Sequence, residues 1–209
     1  MSCDISPPKF LSSPRPHVAL ASYPRSGNSL TRSVLEGLTS TWTGSDFCRN
    51  DTTGRDGLTG WSDAETVHDG RVWLVKTHSR FETADQGGAF AQFEAQRAIL
   101  LVRHPLHVVT SFWHFVLANE RQDRSVPAST FNTFSRIWDV FISRVGAAWG
   151  SFHRFWLTRP LPLLVLRYEE LTSDRAAVLQ RLYDFLYGEG AADAAPALRR
   201  LECLKSQGA

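Results

Sequence analysis

The 209-residue chain is poor in the features that mark several large protein classes. Its three cysteines, Cys3, Cys48 and Cys203, are far apart and form no C-x-x-C pair. They indicate neither a zinc site nor a disulfide framework, and reduced thiols in a cytoplasmic compartment are the simplest expectation. No run approaches the length of a membrane span, and the stretch from Met1 to Pro16 has no apolar core for a signal peptide. Residues 1–16 read as a flexible lead-in and residues 17–209 as a single domain. A lumenal fragment of a longer, anchored protein is the alternative. Charge of one sign is also missing. The 23 basic and 21 acidic residues leave a net charge of +2, so the field of the molecule does not point to nucleic acid, although a local basic cleft would suit a small anion.

A further absence separates the chain from the nucleoside triphosphatases. The apolar run Val18-Ala19-Leu20-Ala21 leads into Tyr23-Pro24-Arg25-Ser26-Gly27-Asn28-Ser29-Leu30-Thr31-Arg32, and then into the helix-like segment Ser33 to Leu38. That is a strand, a turn and a helix start. The ATP and GTP P-loop needs G-x-x-x-x-G-K-[ST], with the Lys on the β/γ-phosphates and the hydroxyl on Mg²⁺. Here Ser22 stands at the first Gly and Asn28 at the Lys. What remains still suits a phosphate: backbone N–H groups at a helix N-terminus, its positive dipole end, the hydroxyls of Ser26, Ser29 and Thr31, and the cations Arg25 and Arg32. Such a site fits a ligand handled without a metal, and no metal-binding cluster is found elsewhere.

At 43% hydrophobic and 21% charged residues, the chain is long enough for one buried α/β core. Thr39 to Gly70, rich in Gly, Thr, Ser and Asp, reads as a long irregular excursion. Its aromatics Trp42, Phe47 and Trp61 mark either a substrate-facing surface or packing. Val72 to Val75 forms a second strand, which ends in Lys76-Thr77-His78. A third strand, Ala98 to Val102, is continuously apolar, as a strand buried on both faces should be. It ends at Arg103-His104-Pro105, with Pro105 at a first helical position and the helix continuing through Val116. Arg103 and Ser111 converge only if this strand-to-helix turn folds back. The spacing of Phe131, Phe134, Trp138, Phe141, Val145, Trp149 and Phe152 predicts one long amphipathic helix from Thr130 to Phe155, packed on the sheet. A fourth strand, Leu163 to Leu166, precedes Arg167-Tyr168-Glu169-Glu170-Leu171 and a last helix from Ser173 to Tyr187. Strands alternating with helices predict a three-layer α/β fold, a mostly parallel central sheet with helices on both faces.

Taken together, these elements resemble the sulfotransferases that use 3′-phosphoadenosine 5′-phosphosulfate (PAPS). That family has a Y-P-[KR]-S-G-[TN]-[TS] loop, matched by Tyr23 to Ser29, and a strand ending K-T-H, matched by Lys76-Thr77-His78. It also has a strand followed by Arg, then Pro, then a Ser eight residues after the Arg, matched by Arg103, Pro105 and Ser111. A late Y-E-[DE]-L element is matched by Tyr168 to Leu171. The four elements occur in family order between positions 17 and 187. Arg25 and Asn28 resemble the divergent glycan-type members more than the cytosolic phenol and steroid enzymes, which usually carry Lys and Thr. The C-terminal G-x-x-G-x-W-K segment of cytosolic members is not found up to Ala209. Arg199, Arg200 and Lys205 are candidate substitutes for it.

The resemblance implies a P-loop-like sulfotransferase fold, PAPS as sulfuryl donor, no metal, and a carbohydrate or small-molecule acceptor. It implies that Arg25, Ser26, Gly27, Asn28 and Ser29 hold the 5′-phosphosulfate, and that Arg103 and Ser111 hold the 3′-phosphate. Arg25 would neutralise the leaving group as an electrostatic clamp, since a guanidinium does not readily donate its proton. His78 would be the base and Lys76 a second cation near the sulfuryl oxygens. Glu169, a carboxylate at a strand end, reads as a partner for an arginine such as Arg167, with a catalytic role as the alternative, and Trp113 or Trp42 is a candidate for stacking on adenine. Two other classes stay in play. A P-loop kinase would need the Walker Lys and an acidic Mg²⁺ partner. A non-catalytic nucleotide-binding protein on the same scaffold has no physical need for Arg25, His78, Arg103 and Ser111 together.

Overall fold

The computed structural model describes residues 7–46, 64, 67–78, 93–118, 126–188 and 194–206. Among them, five strands form one sheet: β1 (His17–Ser22), β2 (Gly44–Ser45), β3 (Leu74–Thr77), β4 (Ala95–Val102) and β5 (Leu163–Arg167). Their order is β2-β3-β1-β4-β5, and every pairing is parallel. The helices are α1 (Asn28–Thr39), α2 (Pro105–Leu117), α3 (Ser129–Thr133), α4 (Ser135–Leu157), α5 (Tyr168–Ser173), α6 (Arg175–Tyr187) and α7 (Ala194–Ser206).

Alternation along the strands sorts the core into two layers. Val18 and Leu20 of β1, with Ile99 and Leu101 of β4, face Val34, Leu35 and Leu38 of α1 and the apolar sides of α6 and α7. Ala19, Ala21, Ala98 and Leu100 face the other way, against Val108 and Val109 of α2 and Val145, Phe152 and Trp156 of α4. The architecture is therefore the expected three-layer α/β arrangement. From β1 the chain crosses by way of α1 to the β3 side, whereas from β4 it crosses by way of α2 and α4 to β5. The winding reverses between β1 and β4, and their C-terminal ends open the crevice where such sheets bind ligands.

Several elements depart from expectation. The long aromatic helix breaks at Phe134, which leaves helical geometry at φ −112° and ψ 32°. In the short α3 the hydroxyls of Thr130 and Thr133 bond back to Pro127 O and Ser129 O, a local alternative that shortens helices. The excursion after α1 contributes β2, and α7 lies beyond the last helix read from sequence. Ala197, Leu201 and Leu204 of α7 are buried at helical spacing, a pattern masked by Pro196 and the glycines before it. The lead-in is laid against the domain from residue 7 onward: Lys9 bridges Thr41, Leu11 N–H donates to Arg71 O, and Arg15 sits over the Trp73 ring. Cys203 is disulfide-bonded, so the expectation of three free thiols fails. Phe47 and Trp61 lie outside the described residues.

Arg32 is not a phosphate cation. Only 1% exposed, it donates from Nε to Thr43 Oγ1 and from Nη2 to Thr43 O, both at 2.7 Å. Glu36 Oε1 accepts from Thr43 N at 3.0 Å and from Thr43 Oγ1 at 2.5 Å. This buried network ties the exit of α1 to the start of β2. Removing the carboxylate takes the acceptor from the buried Thr43 N–H and hydroxyl, so Glu36→Ala is expected to lower stability by about 2 kcal/mol. The check is the urea midpoint, with Glu36→Gln expected to lose less.

Candidate active site

The turn between β1 and α1 is closed by a hydrogen bond from Ser26 N to Tyr23 O at 3.2 Å. Two of its residues are left-handed, Arg25 at φ 69° and Gly27 at φ 95°. Gly27 is required twice over. Its φ disfavours a side chain, and a Cβ there would lie 2.2 Å from Cδ2 of Tyr168. On the opposite side the buried Tyr23 ring packs edge-on against Phe112 of α2 and Phe152 of α4. No side chain caps the N-terminus of α1, and its first turn holds no acid, which leaves the positive end of the helix open to an anion. The Ser26 hydroxyl is fully buried and has no partner among the described residues. Thr31 differs from expectation, because its hydroxyl is spent on Gly27 O at 3.1 Å. Ser29 is half-buried in the first turn.

Arg103 and Ser111 do converge, and Arg25 joins them. Arg25 Nε donates to Ser111 Oγ at 3.1 Å, and Arg103 Nη1 donates to the carbonyl of Arg25 at 2.8 Å. Each guanidinium lies on an aromatic face, Arg25 over Phe115 at 4.9 Å and Arg103 over Tyr168 at 4.4 Å. Burial, and then the charge of Arg103, push the Arg25 pKa below its ordinary value. Arg103 Nε is buried without a partner among the described residues. Two converging cations, an unsatisfied guanidinium N–H and an unsatisfied hydroxyl fit an anionic group, since buried donors demand acceptors.

Glu169 does not form the expected pair with Arg167. Its Oε1 accepts the backbone N–H of His104 at 2.9 Å. Partial burial opposes ionisation, but that bond and the charges of Arg167 and Arg103 prevail and hold the carboxyl below its usual range. Glu169 thus braces the β4–α2 corner.

His78 follows directly on β3. Its Nδ1 lies 2.6 Å from Ser22 O and 3.3 Å from Ser22 Oγ. A carbonyl only accepts, so Nδ1 carries the proton and Nε2 carries the lone pair in the neutral ring. Asn28 Nδ2 donates to Ser22 Oγ at 2.8 Å, so the Asn28 side chain braces this corner while its backbone belongs to the phosphate turn. In sequence Ser22 marks only the position of the first P-loop Gly and Tyr168 only the start of the Y-E-[DE]-L match, and neither pattern assigns these contacts. The apolar run ending at Ser22 and the glycine opposite Tyr168 held the signal for each, but only the sheet order brings the partners together.

Asp46, next to β2, is another group that sequence reading missed. Its N–H donates to Lys76 O at 3.0 Å, and its Oδ2 accepts from Thr77 Oγ1 at 2.5 Å. The residue is 1% exposed. Burial raises its pKa to about 7, against the opposing pull of the Thr77 bond and the Lys76 charge.

Other candidates do not reach the site. Trp113 is 1% exposed and wedged among Phe131, Trp138 and Phe141, so it cannot stack on a ligand. Trp42 packs against Val67, Val72 and Val75. Arg200 donates to Leu38 O at 2.7 Å, and Lys205 to Gln180 and Glu202. Leu204 touches Gly37. This end of α1 is about 15 Å from the turn at 1.5 Å per residue. Arg200 and Lys205 therefore lie away from the turn, and Arg199 is exposed on the same helix.

The Asp46 carboxyl gives a signed pH dependence. Its pKa is raised in the fold, so the unfolded chain ionises first and the contribution of Asp46 to stability falls as pH rises from about 4 to about 7. Asp46→Asn is expected to be more stable than the parent at pH 8, with the difference shrinking towards pH 4. Paired urea titrations across that range check it.

The comparisons agree with this geometry. The model of the sulfotransferase domain matches residues 15–193. Cytosolic sulfotransferase 3 of Arabidopsis thaliana is 26% identical over 118 residues, 54% of this chain and 35% of that protein, so the chain spans about a third of the plant relative's length. The crystal structure of mouse sulfotransferase SULT7A1 complexed with PAP superposes with a TM-score of 0.53 at 18% identity, covering 93% of this chain and 66% of that one. This second likeness is one of fold. The family match takes in the turn, both following strand ends and the Tyr168 corner, and the chain belongs to the sulfotransferase family.

Proposed function

We propose that the protein transfers a sulfuryl group from PAPS to an acceptor hydroxyl. The observation that carries the reading is the meeting of Arg25 and Arg103 from two strand ends, each on an aromatic face and neither bonded to a carboxylate among the described residues. The solved sulfotransferase of similar fold holds PAP, which is what the donor becomes on losing its sulfuryl group. Ser26, Gly27, Asn28 and Ser29 offer the start of α1 to the 5′ end, and Arg103 with Ser111 receives the 3′-phosphate. PAPS supplies an activated sulfuryl group on a phosphate leaving group.

In an in-line displacement the acceptor oxygen bonds to sulfur as the bond from sulfur to the phosphate oxygen breaks. His78, protonated at Nδ1 by its bond to Ser22 O, takes the hydroxyl proton at Nε2. Arg25 and the end of α1 stabilise the charge that grows on the departing phosphate. Lys76 adds a cation beside the reacting group. We infer a sugar hydroxyl as acceptor from the likeness of the turn to glycan-type members, with a phenol or other small alcohol as the second reading. The family match and the absence of a Walker Lys weigh against a kinase. Donor turnover separates an enzyme from a binding protein on the same scaffold. The expected cytoplasmic location now rests on the plant relative's name, because a disulfide at Cys203 fits an oxidising compartment better. Among the described residues, no helix is long and apolar enough to cross a membrane.

Titration calorimetry with 3′-phosphoadenosine 5′-phosphate (PAP), without metal, tests the reading. Micromolar binding is expected for the parent. Loss of a charged hydrogen-bond donor in Arg103→Ala should weaken it about 30-fold. No binding to the parent overturns the proposal. His78→Asn is expected to keep PAP affinity and lose donor turnover.

A further inference from the structure

We propose that Asp46 is a positioning residue of the transfer site, holding the strand end Lys76-Thr77-His78 through its backbone and its carboxyl. The inference rests on the sulfuryl-transfer reading above.

Among the described residues, β2 pairs with β3 at two positions, Gly44 with Val75 and Ser45 with Lys76. Asp46 carries the pairing further, its N–H on Lys76 O and its Oδ2 on the Thr77 hydroxyl. On the other side β1 pairs with β3 as far as Ala21 with Thr77, and Ser22 receives His78. Thr77 is thus gripped from both neighbouring strands. Because successive side chains of a strand point to opposite faces, fixing the Thr77 side chain commits Lys76 and the following residue, His78, to the other face. One hydrogen bond therefore aims two candidate catalytic groups.

Packing does not explain a carboxyl at this position. The second oxygen, Oδ1, is buried without a partner among the described residues, an unfavourable arrangement that an apolar residue would avoid. What the carboxyl does meet is the Thr77 hydroxyl, which donates to Oδ2, and the charge of Lys76 nearby.

The test uses PAPS with water as acceptor, so no acceptor need be known. Water oxygen bonds to sulfur, its proton passes to His78, and the electron pair of the broken bond leaves with PAP. Release of PAP at saturating donor gives kcat, and calorimetry with PAP gives the affinity and the folded fraction. Loss of one hydrogen bond in Asp46→Ala or Thr77→Val is expected to lower kcat about tenfold, with PAP affinity within about twofold. The double variant should be no worse than either single one. Asp46→Asn and Thr77→Ser, which preserve the acceptor and the donor, should recover most of the rate. They also serve if the larger changes do not fold. A weakened PAP affinity with kcat intact, additive losses in the double variant, or an Asn variant as slow as the Ala variant overturns the proposal. Absence of PAP binding in the parent instead overturns the functional reading on which it rests.

Discussion

The close approach of Tyr168 to Gly27 organises the site. A left-handed residue in a strand-to-helix turn needs a glycine for its backbone, but here the missing side chain also makes room for a ring from a distant strand end. Tyr23 packs on the opposite face of the sheet against α2 and α4. The turn is therefore held from both layers of the core, and Arg25 is kept at φ 69°, where a residue with a Cβ costs about 1 kcal/mol. Two contacts offset that strain, the Arg103 hydrogen bond to the Arg25 carbonyl and the Arg25 bond to Ser111. The unusual backbone of Arg25 turns its carbonyl to one arginine while its side chain reaches the helix that follows that arginine.

Electrostatics and topology support each other at this point. Reversal of the winding between β1 and β4 brings the ends of two strands together, and each is followed by an arginine. Like charges brought together repel, and the fold answers with aromatic faces rather than carboxylates. A carboxylate salt-bridged to either guanidinium would compete with an incoming anion. The nearby acid, Glu169, is held on the His104 N–H, where it braces the corner and leaves the guanidinium donors available.

The layers, the parallel sheet and the order of strands were legible because continuous apolar runs and helical spacing record burial directly. The meeting of Arg25, Arg103 and Ser111 was legible only as separate motifs. The separation of eight positions from Arg103 to Ser111 says nothing of a third residue, 86 positions before Ser111, that bonds one and accepts from the other. Arg32 was misread for a related reason. A cation in a phosphate-like turn looks the same in sequence whether it faces the ligand or, as here, turns inward to Thr43. Asp46 left no signal at all, since a two-residue strand has no periodicity and the carboxyl gains meaning only from the neighbour at Thr77. Short edges and side-chain bonds between distant segments are where local pattern carries least.

The same geometry divides labour among strand ends. In the proposed reaction the arginines that follow β1 and β4 would take the charge of the leaving group, and β3 with the residue after it would bring the base and Lys76 to the acceptor side. Arg25 cannot readily give up a proton, and the phosphate must then depart as an anion stabilised in place. His78 has only to receive. Ser22 joins the two halves: it ends the strand that leads into the phosphate turn, its carbonyl fixes the histidine tautomer, and its hydroxyl is held by Asn28 from the first turn of α1. A displacement of α1 by a bound anion would therefore be felt at the base through a hydrogen-bonded chain of three residues.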